Sequence, residues 1–272
     1  MTAATSHRIG IIGYGAIGAR VAEDIAAGKV HGAELVGIIG RSDPTKAHSA
    51  VERPGTTLTL EMALEHCDLI VECAGQAAVS EYAEKILSAG VDFLMTSIGA
   101  LADQPLAERL HASGPGRLFM TSGAVGGLDI LGAGAREADY DSVLVSTTKL
   151  PETLIQPWMD QAEAQRIRAT GEPLEVFLGS AQEAARLFPR SLNVAAAVAE
   201  AVGNWDNVQV RLTADPAAAL TTHIIEANGP SGEYRFEMRN NPSPDNPRTS
   251  AIVPFAVLRS LEAAIGERGG LV

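Results

Sequence analysis

The chain has 272 residues, of which 46% are hydrophobic and 20% charged, enough for one large or two modest domains with a sizeable core, and unlike a disordered chain. Its formal net charge is −12 with no basic run, which argues against nucleic acid and anionic membrane surfaces as partners. Aromatic residues are only 4% while Ala, Gly and Val abound, a composition that suits helices packed closely on a parallel sheet. No apolar run approaches the roughly 18 residues needed to span a membrane, and Met1 to His7 lacks a signal core. A cytoplasmic location is therefore expected. Cys67 and Cys73 are the two cysteines. They read as buried thiols of a reducing compartment, not as a disulfide or a metal site.

Taken in order, Arg8 to Ile12 is a short apolar run that turns through Gly13-x-Gly15-x-x-Gly18 into an amphipathic pattern carrying Val21, Ala22, Ile25 and Ala26. Strand, glycine turn and helix in that order form the context of a dinucleotide fingerprint. Gly13 permits the turn, Gly15 admits a pyrophosphate, and Gly18 allows close helix packing. The helix start at Ala16 and Ile17 offers free N–H groups to phosphate. Glu34 to Gly40 reads as the second strand. Its tip is Gly40-Arg41-Ser42, without the acid that would bind ribose hydroxyls, so Arg41 and Ser42 point to a 2′-phosphate and favour NADP over NAD. Arg41 stacked on adenine or in solvent, with Asp43 as a late acid, is the other reading of this tip.

Thr57–Leu60 reads as a short strand and Glu61–His66 as a short helix. Strands are expected at Leu69–Cys73, Val91–Met95 and Arg117–Met120, and helices at Ala77–Ala89 and Ala102–His111. This alternation predicts an α/β fold, a Rossmann-type doubly wound parallel sheet. Ligands of such sheets bind at the C-terminal strand ends, where Ala74 and Gly75 leave room for the ribose and nicotinamide and Thr96–Ala100 forms a second small-residue loop. The loop Thr121–Asp129 opens a helix, Leu128–Ala138, and leads into an inserted α+β substrate and dimerisation domain. Strands there are expected at Ser142–Lys149, Leu174–Ser180, Val208–Thr213, Leu220–Ala227 and Tyr234–Met238, with helices at Gln182–Leu187 and Leu192–Val202. Gly229 to Gly232 joins the last two strands as a hairpin. A Pro/Asn linker, 240–247, precedes a helix over Arg248–Ile265 that is expected to return to the first domain. The expected domains are thus 1–123 with 247–272, and 124–246.

Of the six histidines, five fall at termini, loops or helix ends. His223 lies inside a strand, where it is either structural or a general acid/base. Lys149 ends a strand, and Arg248, with Thr249 beside it, follows the linker; these are the candidates to hold a substrate carboxylate, against the ordinary solvated role of long basic side chains. Asn193 in the first turn of an alanine-rich helix requires a partner for its amide. No spacing of His, Cys, Asp or Glu matches a metal site.

Together these residues resemble the L-aspartate dehydrogenase family. The resemblance rests on Gly13-x-Gly15-x-x-Gly18, Ser122-Gly123-Ala124-x-Gly126-Gly127-Leu128-Asp129, Phe188-Pro189 followed by Asn193-Val194-Ala195-Ala196, His223-x-Ile225 before Gly229 and Gly232, and Asn246-Pro247-Arg248-Thr249-Ser250-Ala251. Ser191 and Thr221 depart from the pattern, standing where asparagine is expected. The resemblance implies reversible NAD(P)-dependent oxidative deamination of L-aspartate to oxaloacetate and ammonia through iminosuccinate, with a role in NAD biosynthesis or in aspartate amination and breakdown. It also implies His223 as the catalytic residue, Ala124 and Asn193 as dinucleotide contacts, and a homodimer. The rival readings are a dehydrogenase of similar build acting on homoserine or another amino or imino acid, a reductase of a ring-shaped imine, and a non-catalytic NADP-binding sensor.

Overall fold

The structure, a computed structural model, describes residues 6–40, 55–189 and 192–266, and the chain divides into two compact units. The first unit runs through Ala100, takes in Gln104–Thr121 and resumes at Pro254; the second comprises Leu101–Asp103 and Ser122–Val253. The sequence boundaries expected at 123/124 and 246/247 compare with structural ones at 121/122 and 253/254.

In the first unit, β1 (His7–Ile12), α1 (Ala16–Ala26), β2 (Ala33–Ile39), β3 (Thr56–Leu58), α2 (Leu60–His66), β4 (Leu69–Glu72), α3 (Gln76–Ser88), β5 (Asp92–Met95), α4 (Gln104–Ala112) and β6 (Leu118–Met120) alternate along the chain. The six strands lie in the order β3-β2-β1-β4-β5-β6, and each neighbouring pair is parallel. This is the doubly wound order whose direction of winding reverses between β1 and β4. The central strands are buried on both faces, so they read as unbroken apolar runs: Ile9, Ile11, Leu69, Ile70, Val71, Phe93 and Leu94 are at most 1% exposed. The third strand ends at Leu58 and the next helix starts at Leu60, because the Thr59 hydroxyl accepts from the Met62 N–H and caps it. Ile98–Ala100, expected as part of a loop, winds with Leu101 and Ala102 into a 3₁₀ turn, and the helix expected from Ala102 begins at Gln104. The last helix, α10 (Val253–Ile265), belongs to this unit from Pro254 on. The Ser260 hydroxyl bonds that of Thr121 at 3.2 Å, and Arg20 lies 5.0 Å over the Phe255 ring.

The second unit contains α5 (Leu128–Ala135), β7 (Ser142–Lys149), α6 (Pro151–Leu154), α7 (Gln161–Arg168), β8 (Leu174–Ser180), α8 (Ala181–Leu187), α9 (Asn193–Val202), β9 (Val208–Ala214), β10 (Thr221–Gly229) and β11 (Gly232–Asn240). Its five strands are ordered β11-β10-β7-β9-β8. Only β7 and β9 pair in parallel; the other neighbours are antiparallel. Alternate residues of β7, β9 and β10 point to one face: Val143 and Val145, Val208, Val210 and Leu212, Ile225 and Ala227. That face shares one core with Leu131 of α5, Ala181 and Ala184 of α8, and the almost wholly buried α9. The alanines of α9 let its backbone approach closely; the space beside Gly132 of α5 is bounded by the Ala201 carbonyl.

The final helix begins at Val253, not at Arg248. The backbone of 241–251 is already engaged in a folded loop: Ser243 N–H donates to the Thr249 carbonyl, Thr249 N–H to Asn246 and Ala251 N–H to Asn241. Pro254 then falls in the first helical turn, where it has no intrahelical N–H to lose.

Candidate functional site

The first unit presents a dinucleotide-shaped strand edge. Gly13 leaves β1 at φ +92°, and a Cβ there would stand 2.8 Å from Ala74 Cβ. A Cβ on Gly18 would collide with the Gly13 carbonyl oxygen, so only glycine lets α1 lie this close to the turn. Gly15 is different: a Cβ there would meet nothing within 4 Å. It is the N-cap of α1 and supplies no side-chain cap, and the first turn holds no acidic residue. The N–H groups at Ala16, Ile17 and Gly18 therefore begin a helix without intrahelical acceptors, beside open space and the positive end of the helix dipole. These residues fit a pyrophosphate. Gly75 caps α3 in the same manner, again without a side-chain bond or a first-turn acid. Arg41 and Ser42, the residues expected to distinguish NADP, lie outside the described residues.

Loops 74–75 and 96–97 converge on a residue that sequence reasoning passed over. Glu72 closes β4 and is 0% exposed. Its Oε1 accepts from the N–H groups of Ala74 and Gly75, both at 2.7 Å, and from the Ser97 hydroxyl at 3.0 Å. Its Oε2 accepts from the N–H groups of Ser97 at 3.0 Å and Thr96 at 3.3 Å. The signal was present in the sequence: one acid inside a strand that is otherwise wholly apolar.

The second unit carries a separate polar cluster on the core face of its sheet. His223 on β10 stands opposite Thr147 on β7, and its Nδ1 lies 2.9 Å from the Thr147 hydroxyl. Lys149, two residues further along β7, points to the same face. The three side chains are 2%, 1% and 6% exposed respectively. Burial pushes Lys149 down to about 8, and among the described residues no carboxylate pairs with it. Burial first, and the Lys149 charge second, push His223 down to about 3. The imidazole is therefore neutral at physiological pH, with a buried cation as its neighbour. A buried cation with no carboxylate partner among the described residues is placed to receive an anion, beside an imidazole held neutral.

The other expected site residues of this unit lie elsewhere. Asn193 is the first residue of α9 and half-buried. Ala124 is 8% exposed, and its carbonyl accepts from the Asn240 amide at 2.9 Å. Arg248 is exposed and lines a cavity of about 180 Å³ with Glu152, Gln156 and Arg168, a wall that includes neither Lys149 nor His223. The Thr249 hydroxyl accepts from the Asn246 amide at 3.2 Å. The structure thus groups Lys149 with His223 and leaves Arg248 and Thr249 in the loop before α10. Among the described residues no cluster of His, Cys, Asp and Glu is placed to hold a metal, and no helix is long and apolar enough to cross a membrane.

The family model for the C-terminal domain of aspartate dehydrogenase matches residues 129–264, and the model for the NAD-binding domain of homoserine dehydrogenase matches 13–115. With the parallel sheet and its glycine turn, these matches define an NAD(P)-dependent amino-acid dehydrogenase. The chain belongs to the L-aspartate dehydrogenase family. It is 36% identical to the L-aspartate dehydrogenase of Ralstonia pickettii, over 93% of this chain and 96% of that one. It is also 36% identical to the enzyme of that name from Pseudomonas aeruginosa, over 92% and 95% respectively. The crystal structure of aspartate dehydrogenase from Thermotoga maritima superposes with a TM-score of 0.70 at 28% identity, covering 97% of this chain and 99% of that chain.

Proposed function

We propose that the protein catalyses the reversible oxidative deamination of L-aspartate to oxaloacetate and ammonia through iminosuccinate. The observation that carries the reading is the buried His223–Thr147–Lys149 cluster, in a chain whose relatives are named for this activity. The nicotinamide cofactor, when bound, accepts hydride from the substrate α-carbon; Gly13, Gly15, Ala16, Ile17 and Gly18 would hold its pyrophosphate, with Ala74, Gly75, Ala124 and Asn193 as further contacts. Lys149 pairs with a substrate carboxylate. Burial is the larger cause of the depressed His223 and the Lys149 charge the smaller; the carboxylate offsets the second, which raises the imidazole's proton affinity by that part. With its Nδ1–H donated to Thr147, neutral His223 takes a proton at Nε2 from the water that attacks the imine carbon. It returns that proton to the carbinolamine nitrogen and then accepts the hydroxyl proton as the C–N bond breaks, so that ammonia leaves and the carbonyl of oxaloacetate forms.

Gly40-Arg41-Ser42 at the tip of the second strand supports a preference for NADP, since it offers a guanidinium and a hydroxyl where a ribose-binding acid is absent. A homodimer formed through the second unit is part of the proposal. The sheet face opposite its core supports this reading, since it carries both signs of charge, in the Arg211–Glu175 and Arg235–Glu226 pairs, beside half-buried Leu144 and Ile224. The test is replacement of His223 by Ala: turnover is expected to fall at least about a hundredfold, the usual scale for a general acid/base, with cofactor affinity retained. Normal turnover in that variant removes the assigned role.

A further inference from the structure

Glu72 is the one fully buried acid among the described residues, and neither unit's proposed chemistry uses it. The contacts of its carboxylate are all donors: four backbone N–H groups, the Ser97 hydroxyl and, at 3.5 Å, the Thr96 hydroxyl. A carboxylate offers about four lone-pair sites and, when ionised, no donor. The pocket is thus saturated with donors and built for an acceptor-only group. No basic side chain is among these partners.

The location gives the cluster its meaning. Winding reverses between β1 and β4, and a dinucleotide lies across that point. The glycine turn after β1 and the tip of β2 serve the adenylate half. The loops after β4 and β5 are left for the nicotinamide half, and these are the two loops whose N–H groups Glu72 gathers. Ala74, one of its donors, also stands against Gly13 of the phosphate turn. We infer that Glu72 is a positioning residue for the nicotinamide half of the cofactor, tying the loop 74–75 to the loop 96–97 in the shape that half requires. The inference rests on the use of a nicotinamide cofactor and not on aspartate as substrate, so the two readings fail independently.

The experiment is a comparison of Glu72→Gln with the unaltered protein, using two probes: the full oxidised dinucleotide, and ADP, which carries only the adenylate half. The amide keeps the size of the side chain but turns an N–H₂ group toward donors. Titration calorimetry is expected to show dinucleotide binding weakened at least about tenfold, the scale of a hydrogen bond to a charged group, with ADP binding changed less than about twofold. Unchanged dinucleotide binding overturns the inference. So does loss of ADP and dinucleotide in equal proportion, which is the result of a merely structural role. If Glu72→Gln does not fold, Ser97→Ala removes a single donor and serves instead. It is expected to weaken the dinucleotide about threefold and leave ADP unaffected, and an unaltered ratio of the two affinities contradicts the assignment.

Discussion

Lys149 and His223 lie on one buried face, and the charge of the first lowers the proton affinity of the second. This coupling yields a pH prediction at the scale of the residue. Lys149 must be cationic to hold a carboxylate, and burial places its proton loss near 8. With free ammonia held saturating, kcat/KM for oxaloacetate is expected to fall as pH rises through about 8. Lys149→Arg keeps its charge throughout that range and should shift this limb upward, while Lys149→Met should lose most affinity for oxaloacetate and raise the His223 pKa seen by NMR. A limb that stays in place in the arginine variant would assign the ionisation to another group. The Thr147–His223 pair was not readable from sequence, because it depends on the β7–β10 register, which sets His223 opposite Thr147 across 76 positions of chain. Lys149 was readable as a basic strand end, whereas its partnership with His223, and the separation of Arg248 from both, were not.

At the scale of the element, the glycine turn into α1 separates stability from binding. Gly15 has φ −87° and open space around it, so Gly15→Val should fold with a melting temperature close to the parent while its side chain fills the phosphate space. Cofactor affinity is expected to drop at least about tenfold, the loss of one charge-assisted contact set. Gly18→Ala should act the other way, lowering the melting temperature because its Cβ meets the Gly13 carbonyl. Thermal melts beside cofactor titrations separate the two outcomes. The first half of the fold was legible because each element announces itself: apolar runs for strands buried on both faces, glycines at the turn, small residues at strand ends. The short helices α6 and α7 went unread. The first is four residues long, and the second buries only Ala164 and Ile167 in an otherwise charged segment, too little for a periodic signal. Glu72 was visible as a lone acid in an apolar strand, but its meaning depends on loops brought together only by the β1-β4-β5 order.

For the whole molecule, the ionisable cluster makes stability depend on pH in a defined direction. His223 titrates near 3 in the folded cofactor-free protein, against an ordinary value of 6.5. Between these values the unfolded chain binds more protons, so stability contributed by the neutral imidazole is present above 6.5 and is lost as pH falls toward 3. Denaturant unfolding should show the parent losing about 1–2 kcal/mol more than His223→Gln between about pH 6.5 and 5. Equal slopes would contradict a buried neutral histidine. The central claim, that this buried cluster serves aspartate chemistry, is tested most directly by following oxidation of reduced cofactor with purified protein, offering oxaloacetate plus ammonium beside other oxo acids, with His223→Ala as control. Turnover is expected to require both oxaloacetate and ammonium, to exceed that with every other oxo acid, and to collapse in the variant. Equal or faster turnover with another oxo acid, or undiminished turnover without His223, would contradict that claim.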